Sequence, residues 1–242
     1  MWPIVILSGL AAGSFLNVVI YRLPRDLSII KPGSFCPACH IPIKFYDNLP
    51  LISYLVLKGR CRYCKAPISW RYPLVELLSA SFAGVLYSRL GISPALFAYH
   101  LFLSALIVLT FIDLDAQILP DLITMPVTGA GLISSLLAET TPPLNSLIGA
   151  TAGFGIFFII AFVYKWVRGR EGLGGGDAKL MAMVGAFLGW QGILPTILIG
   201  SVSGLLAALI LMAFKGRGYH EPIPFGPFLS LGATSTLLWG LR

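Results

Sequence analysis

An all-α polytopic membrane fold, with about eight transmembrane helices and a small cytoplasmic four-cysteine domain between the first two, is predicted by three observations. Hydrophobic residues make up 57% of the 242-residue chain and charged residues only 11%, against roughly 45–50% and about 25% in a soluble domain. Long apolar runs recur from end to end, interrupted by Gly and Pro in the way membrane helices tolerate. A closed barrel would instead show alternating segments of about ten residues.

Taken in order, the spans are Trp2 to Ile20, Pro73 to Ser88, Pro94 to Ile112, Leu122 to Ala138, Ser146 to Trp166, Ala178 to Trp190, Ile193 to Phe214 and Phe225 to Leu241. The second and sixth fall short of the ~20 residues that a bilayer requires. Only Gln191 and Gly192 separate the sixth from the seventh, which predicts a tight hairpin that enters and leaves on one side. The first span resembles a signal peptide, but Arg22 and Arg25 follow it and no A-x-A cleavage site is evident, so it reads as a retained anchor. No fixed-period repeat is visible. The hydrophilic stretch Tyr21 to Tyr72 is the candidate for a separate small domain, dividing the chain into 1–20, 21–72 and the helical core 73–242.

Basic residues orient the chain. With the N-terminus outside, the cytoplasmic segments carry nine Lys and Arg from Arg22 to Arg71, then Lys165, Arg168, Arg170 and Lys179, then Lys215 and Arg217. Only Arg89 and Arg242 remain outside, which the positive-inside rule favours over the reverse. The net charge of +7 is then explained by cationic loops beside anionic lipid headgroups, with no nucleic acid required.

All four cysteines lie in the hydrophilic stretch, as Cys36-Pro37-Ala38-Cys39 and Cys61-Arg62-Tyr63-Cys64, with 21 residues between the pairs. Two C-x-x-C knuckles supply four thiolates to one tetrahedral zinc ion, and a closed site of that kind is structural. Disulfides are the competing reading, which the reducing cytoplasm disfavours. His40 is read as a solvated neighbour of Cys39.

Asp113 closes an apolar run, and Asp177 opens another after Gly174, Gly175 and Gly176. Acids where a span meets water are costly and therefore functional candidates. Two carboxylates brought together share a proton, so that one takes a proton from water while the other polarises a carbonyl. Glycines before Asp177 permit a sharp turn and close approach to a substrate backbone. No Gly-Lys-Ser/Thr follows, so a phosphate-binding loop is disfavoured. If Asp113 ends a helix and Asp177 begins one, helix dipoles favour charge on Asp177 and the proton on Asp113. Asp115 and Asp26 read as loop carboxylates paired with Lys or Arg, and Asp121 as a cap for the helix beginning at Leu122.

These residues are similar to a known family. Gly174-Gly175-Gly176-Asp177 fits the G-x-G-D signature of intramembrane aspartyl peptidases, and nearly the whole chain resembles the bacterial type IV prepilin peptidases. The resemblance runs through Gly13-Ser14-Phe15-Leu16-Asn17-Val18-Val19, Arg22-Leu23-Pro24, the paired C-x-x-C motifs, Asn48-Leu49-Pro50 and Arg71-Tyr72-Pro73-Leu74-Val75-Glu76. It continues through Ile112-Asp113, Leu119-Pro120-Asp121 and Pro224-Phe225-Gly226-Pro227.

The resemblance implies an inner-membrane enzyme that removes the basic leader of prepilins or pseudopilins on the cytoplasmic side and then N-methylates the new terminus with S-adenosylmethionine. It assigns catalysis to Asp113 and Asp177, with Asp115 the nearest challenger to Asp113. For methyl transfer it points to the Gly13 to Arg22 segment, the cysteine domain and Glu76, where Glu76 accepts a hydrogen bond from the substrate's ammonium or pairs with Arg71 or Arg89. Asn17 and Asn48 are weaker candidates. Asp115, Asp121 and Glu171 are candidates to meet the basic leader. The rival classes are an ion-coupled transporter using the same acids and a zinc-bearing scaffold of a secretion machine. Neither G-x-S-x-G nor H-E-x-x-H occurs, which leaves serine and metallo-hydrolysis without support.

Overall fold

Proline sets the start of several helices, because the first turn has N–H groups without intrahelical partners and loses nothing when one is absent. It occupies the first or second position of α1 (Trp2–Arg22), α4 (Pro94–Ala116), α6 (Pro143–Arg168) and α9 (Gly226–Gly240). The others are α2 (Ile52–Val56), α3 (Arg71–Leu90), α5 (Asp121–Leu137), α7 (Gly175–Leu188) and α8 (Ile193–Lys215). This computed structural model describes residues 1–138, 140–169, 174–215 and 223–241. Among the described residues the chain is helical apart from the loops 26–44 and 57–70, which carry the cysteine pairs and two isolated β-bridges, Phe35 with Pro42 and Arg60 with Pro67, and the shorter links between helices. Four helices there are long and apolar enough to cross a membrane: Trp2–Arg25, Pro94–Ala116, Pro143–Val167 and Trp190–Phe214. On α8, Leu194, Leu198, Leu205, Leu206 and Leu209 stand exposed, a surface suited to lipid.

The chain divides into two compact units, Met1–Ile92 and Ser93–Arg242. In the first, α1 packs on α3. A Cβ added at Gly9 would lie 2.7 Å from Ala80 Cα, and one at Gly13 would lie 2.6 Å from Glu76 Cα, so the crossing depends on bare backbone. Asn17 adds a polar tie, its amide donating to the Tyr72 carbonyl at 3.0 Å. At the end of α1 the buried Arg22 donates to the carbonyls of Ser28 and Gly33, each at 2.9 Å. That side chain anchors the loop leading to the first cysteine pair.

In the second unit, α4 and α7 supply most of the fully buried side chains, including Phe102, Leu106, Leu109, Met181, Met183 and Phe187. Phe102 stacks on Phe187 with ring centroids 4.6 Å apart. Around this core α7 packs against α5, α6 and α9, and α4 against α5 and α9. The helix that matches the sixth predicted span, α7, has 14 residues and is enclosed by protein. Its C-terminal carbonyls are met from outside, by the Ser146 hydroxyl at Ala186 (2.6 Å) and the Thr141 hydroxyl at Phe187 (2.9 Å). A single 3-10 turn, Trp190–Gly192, links α7 to α8, but the packing partners of α7 are mainly α5 and α6 and not α8.

Candidate active site and cysteine centre

Asp113 lies in the last turns of α4 and Asp177 in the first turn of α7, at 6% and 9% exposure. The fold brings them within Coulombic reach of each other. Asp113 has a further partner, the backbone N–H of Gly226, which donates to its Oδ2 at 3.0 Å. A Cβ there would lie 2.6 Å from that oxygen and would displace the carboxylate. Leu119, on the link between α4 and α5, fills the space beside two glycines: a Cβ at Gly176 would meet Leu119 Cβ at 2.8 Å, and one at Gly226 would meet its Cδ2 at 3.3 Å. Gly226 and Leu119 belong to motifs of the family resemblance, but no local pattern signals that Gly226 meets Asp113 or that Leu119 packs on the two glycines.

Asp121 departs from its expected capping role. The N-cap of α5 is Pro120, without a side-chain cap, and Asp121 stands in the first turn. Its two oxygens accept from the Lys179 ammonium of α7 at 2.6 and 2.7 Å. A cation from another element therefore holds a carboxylate that the sequence places beside a helix start. Asp115 is exposed on α4, and Asp26 is exposed with φ 54° after the turn that ends α1. Glu171 lies outside the described residues, as do Arg170, Arg217 and Arg242 of the charge count.

The cysteine pairs form two matching knuckles. In the first, Cys36 N–H donates to Ile41 O and His40 N–H to Cys36 O, with His40 at φ 57°. In the second, Cys61 N–H donates to Ala66 O and Lys65 N–H to Cys61 O, with Lys65 at φ 60°. The match was present in the sequence as C-x-x-C-x-x-P-I, at Cys36 to Ile43 and again at Cys61 to Ile68, but it is too short and too isolated to register as a fixed-period repeat. The four sulfurs lie within 4.8 Å of one another, so this cluster can hold a metal ion. N–H groups of Cys64 and Tyr63 pull the Cys61 thiol down to about 7, toward the thiolate a metal needs. At Cys64 the Ala66 N–H is outweighed by desolvation and the sulfurs of Cys39, Cys61 and Cys36, which push that thiol up to about 11. His40 stands apart from the four sulfurs, exposed and stacked on Phe35. Arg62, inside the second knuckle, grips Asp47 through Nε and Nη2, and holds that carboxyl below the usual carboxylate range.

Gly13, Asn17 and Glu76 come together at the crossing of α1 and α3. Gly13 contributes the close backbone approach. Glu76 is buried, and its Oε2 accepts the Leu51 N–H at 2.8 Å while its carboxylate also meets Ser14. Leu51 itself sits at φ 59°, a strained conformation for a side chain of its size. Beside these residues lies a cavity of about 370 Å³, lined by Asn17, Asn48, Tyr54, Tyr72 and Glu76 among others. Ser14 lies inside a motif of the family resemblance, but neither its contact with Glu76 nor that of the Leu51 N–H was signalled locally.

Fold and site together define a multi-helix membrane protein with paired acids at adjoining helix ends and a four-thiol centre. The chain belongs to the Type IV leader peptidase family, which matches residues 100–209, preceded by the Bacterial Peptidase A24 N-terminal domain over residues 7–90. It is 40% identical to the prepilin leader peptidase/N-methyltransferase of Aeromonas salmonicida (strain A449), over 99% of this chain and 91% of that protein. Proteins of the same name from Aeromonas hydrophila and Stutzerimonas stutzeri are 39% and 38% identical, over 99% and 96% of this chain and 91% and 88% of theirs. No solved structure matches it.

Proposed function

We propose that this protein is a membrane aspartyl endopeptidase that removes the basic leader of type IV prepilins or type II secretion pseudopilins at the cytoplasmic face and then N-methylates the new N-terminal residue. The observation that carries the reading is the convergence of two buried carboxylates, Asp113 and Asp177, in a chain of this family. In the hydrolytic step the ionised member takes a proton from water, and the resulting hydroxide attacks the scissile carbonyl. The protonated member gives its proton to the carbonyl oxygen, and collapse of the tetrahedral species passes a proton to the leaving amine. The substrate is a hydrophobic helix that reaches the dyad laterally from lipid. In this reading eight helices span the inner membrane with the N-terminus outside, and residues 21–72 form a cytoplasmic domain.

The cysteine centre is assigned zinc. A tetrahedron with Zn–S bonds of about 2.3 Å has S–S edges of about 3.8 Å, and Cys36 Sγ lies 3.8 Å from Cys64 Sγ. With Cys39 and Cys61 completing the set, the ion has no open position and its role is structural. The methyl donor is assigned to the cavity beside Glu76. Its volume of about 370 Å³ falls in the usual range of roughly 300–1,000 Å³ for small-molecule sites. A buried carboxylate with the rings of Tyr54 and Tyr72 suits a sulfonium cation. Bound S-adenosylmethionine supplies an electrophilic methyl group there. Glu76 orients the amine through its carboxylate, while Asn17 holds α1 to α3 at the cavity wall.

The direct test is to exchange Asp113 and Asp177 singly for Asn and incubate each variant with a prepilin in detergent. Both are expected to lose cleavage, and retained cleavage in either defeats the peptidase assignment. The mass of the product, read for loss of the leader and gain of a methyl group, reports the two activities separately.

A further inference from the structure

We propose that the backbone N–H of Gly226 is a positioning group for the dyad, holding Asp113 as the ionised, water-activating carboxylate and leaving the shared proton on Asp177. The proposal rests on the peptidase reading and assigns the two acids different roles within it.

The start of α9 is arranged to free one donor. Phe228 and Leu229 turn their N–H groups back to the Phe225 carbonyl, at 3.1 Å each, and Pro227 has none. Gly226 N–H is left to point outward, and it reaches Asp113 Oδ2 at 3.0 Å in a buried contact. A hydrogen bond donated to a carboxylate stabilises its charged form. Any side chain at position 226 would displace that carboxylate, because a Cβ would stand 2.6 Å from the same oxygen. Asp177 has a different setting. Among the described residues, the charge that reaches it is that of Asp113.

The balance of helix ends alone predicts the opposite assignment, with the proton on Asp113 at the C-terminal end of α4. That expectation omits α9, whose positive N-terminal end faces Asp113 and offsets α4. A direct hydrogen bond to a charged group is also roughly two to three times stronger than a helix-end dipole. Other charges do not disturb the comparison. Of the elements packed against α4, α9 has no titratable side chain, α5 has only Asp121, and α7 has, besides Asp177, only Lys179, which Asp121 already holds. On α4 itself, Asp115 is exposed.

Two measurements test the assignment. In Gly226→Ala the acidic limb of the kcat/KM–pH profile for prepilin cleavage is expected to move upward by about one pH unit, because the base has lost its donor. A lowered rate with the acidic limb unmoved overturns the proposal and makes Gly226 merely structural. The second measurement uses the unaltered protein. A hydrophobic carbodiimide, which takes up the proton of a protonated carboxyl and is then attacked by its oxygen, is added near neutral pH and its adducts are mapped by mass spectrometry. Modification of Asp177 in preference to Asp113 is expected. An adduct on Asp113, or no preference between the two, overturns the assignment. Either failure leaves the peptidase reading standing provided Asp113→Asn and Asp177→Asn still abolish cleavage, so the two ideas fail separately.

Discussion

At the scale of single residues, the structure changes what several charged groups do. Asp121 is bound to Lys179 in a pair that is partly open to solvent, with side-chain exposures of 61% and 32%. Exposed pairs of this kind contribute at most about 1 kcal/mol. Asp121→Asn is therefore expected to lower stability by no more than that, read from thermal unfolding in detergent; a larger loss would show that the pair pins α5 to α7. The cysteines behave differently because their protonation decides metal binding. Ligation needs thiolates, so protons compete with the ion and retention falls as pH falls. Cys61, drawn down to about 7 by neighbouring N–H groups, yields its proton readily near neutrality. Metal release to a chromogenic chelator should accordingly rise as the buffer is taken from pH 7 to about 5. Flat retention across that window would count against thiolate ligation.

Element packing explains which glycines matter. On α6, Gly149 and Gly153 face α7, where added Cβ atoms would strike the carbonyls of Gly185 and Met181. Gly155, two residues further on, has open space beside it. Gly149→Leu is expected to cost about 1–3 kcal/mol or more by forcing the helices apart, whereas Gly155→Leu should be nearly neutral. Comparing the unfolding midpoints of the two variants in detergent checks this. Nothing local distinguishes these glycines, since both lie in the same apolar run. The helices themselves were legible because long apolar stretches with Pro at their starts are a property of neighbouring residues. The shortness of the sixth span was legible too, but its enclosure by α5, α6 and α9 was not.

For the whole molecule, the proposed reading sets two demands on one chain: lipid around the exposed faces of helices such as α8, and a metal to organise a cysteine region with little core of its own. The protein should stay in the membrane through an alkaline carbonate wash and precipitate when detergent is withdrawn. One zinc per chain is expected by elemental analysis, falling to none in a Cys36→Ser, Cys61→Ser double variant. Measurable zinc in that variant would show that the thiols are not its ligands.

By itself the sequence determined the helical membrane class, the paired cysteine knuckles and the set of acids from which the site is drawn. These rest on composition, periodicity and spacing, which operate over a few residues. Tertiary structure alone decided that Asp113 meets both Asp177 and the Gly226 N–H, that Lys179 holds Asp121, and that Gly13 carries a helix crossing against Glu76. Each joins segments far apart in the chain. Their meeting depends on how helices pack, and a carboxylate's charge state depends on which donor that packing delivers to it.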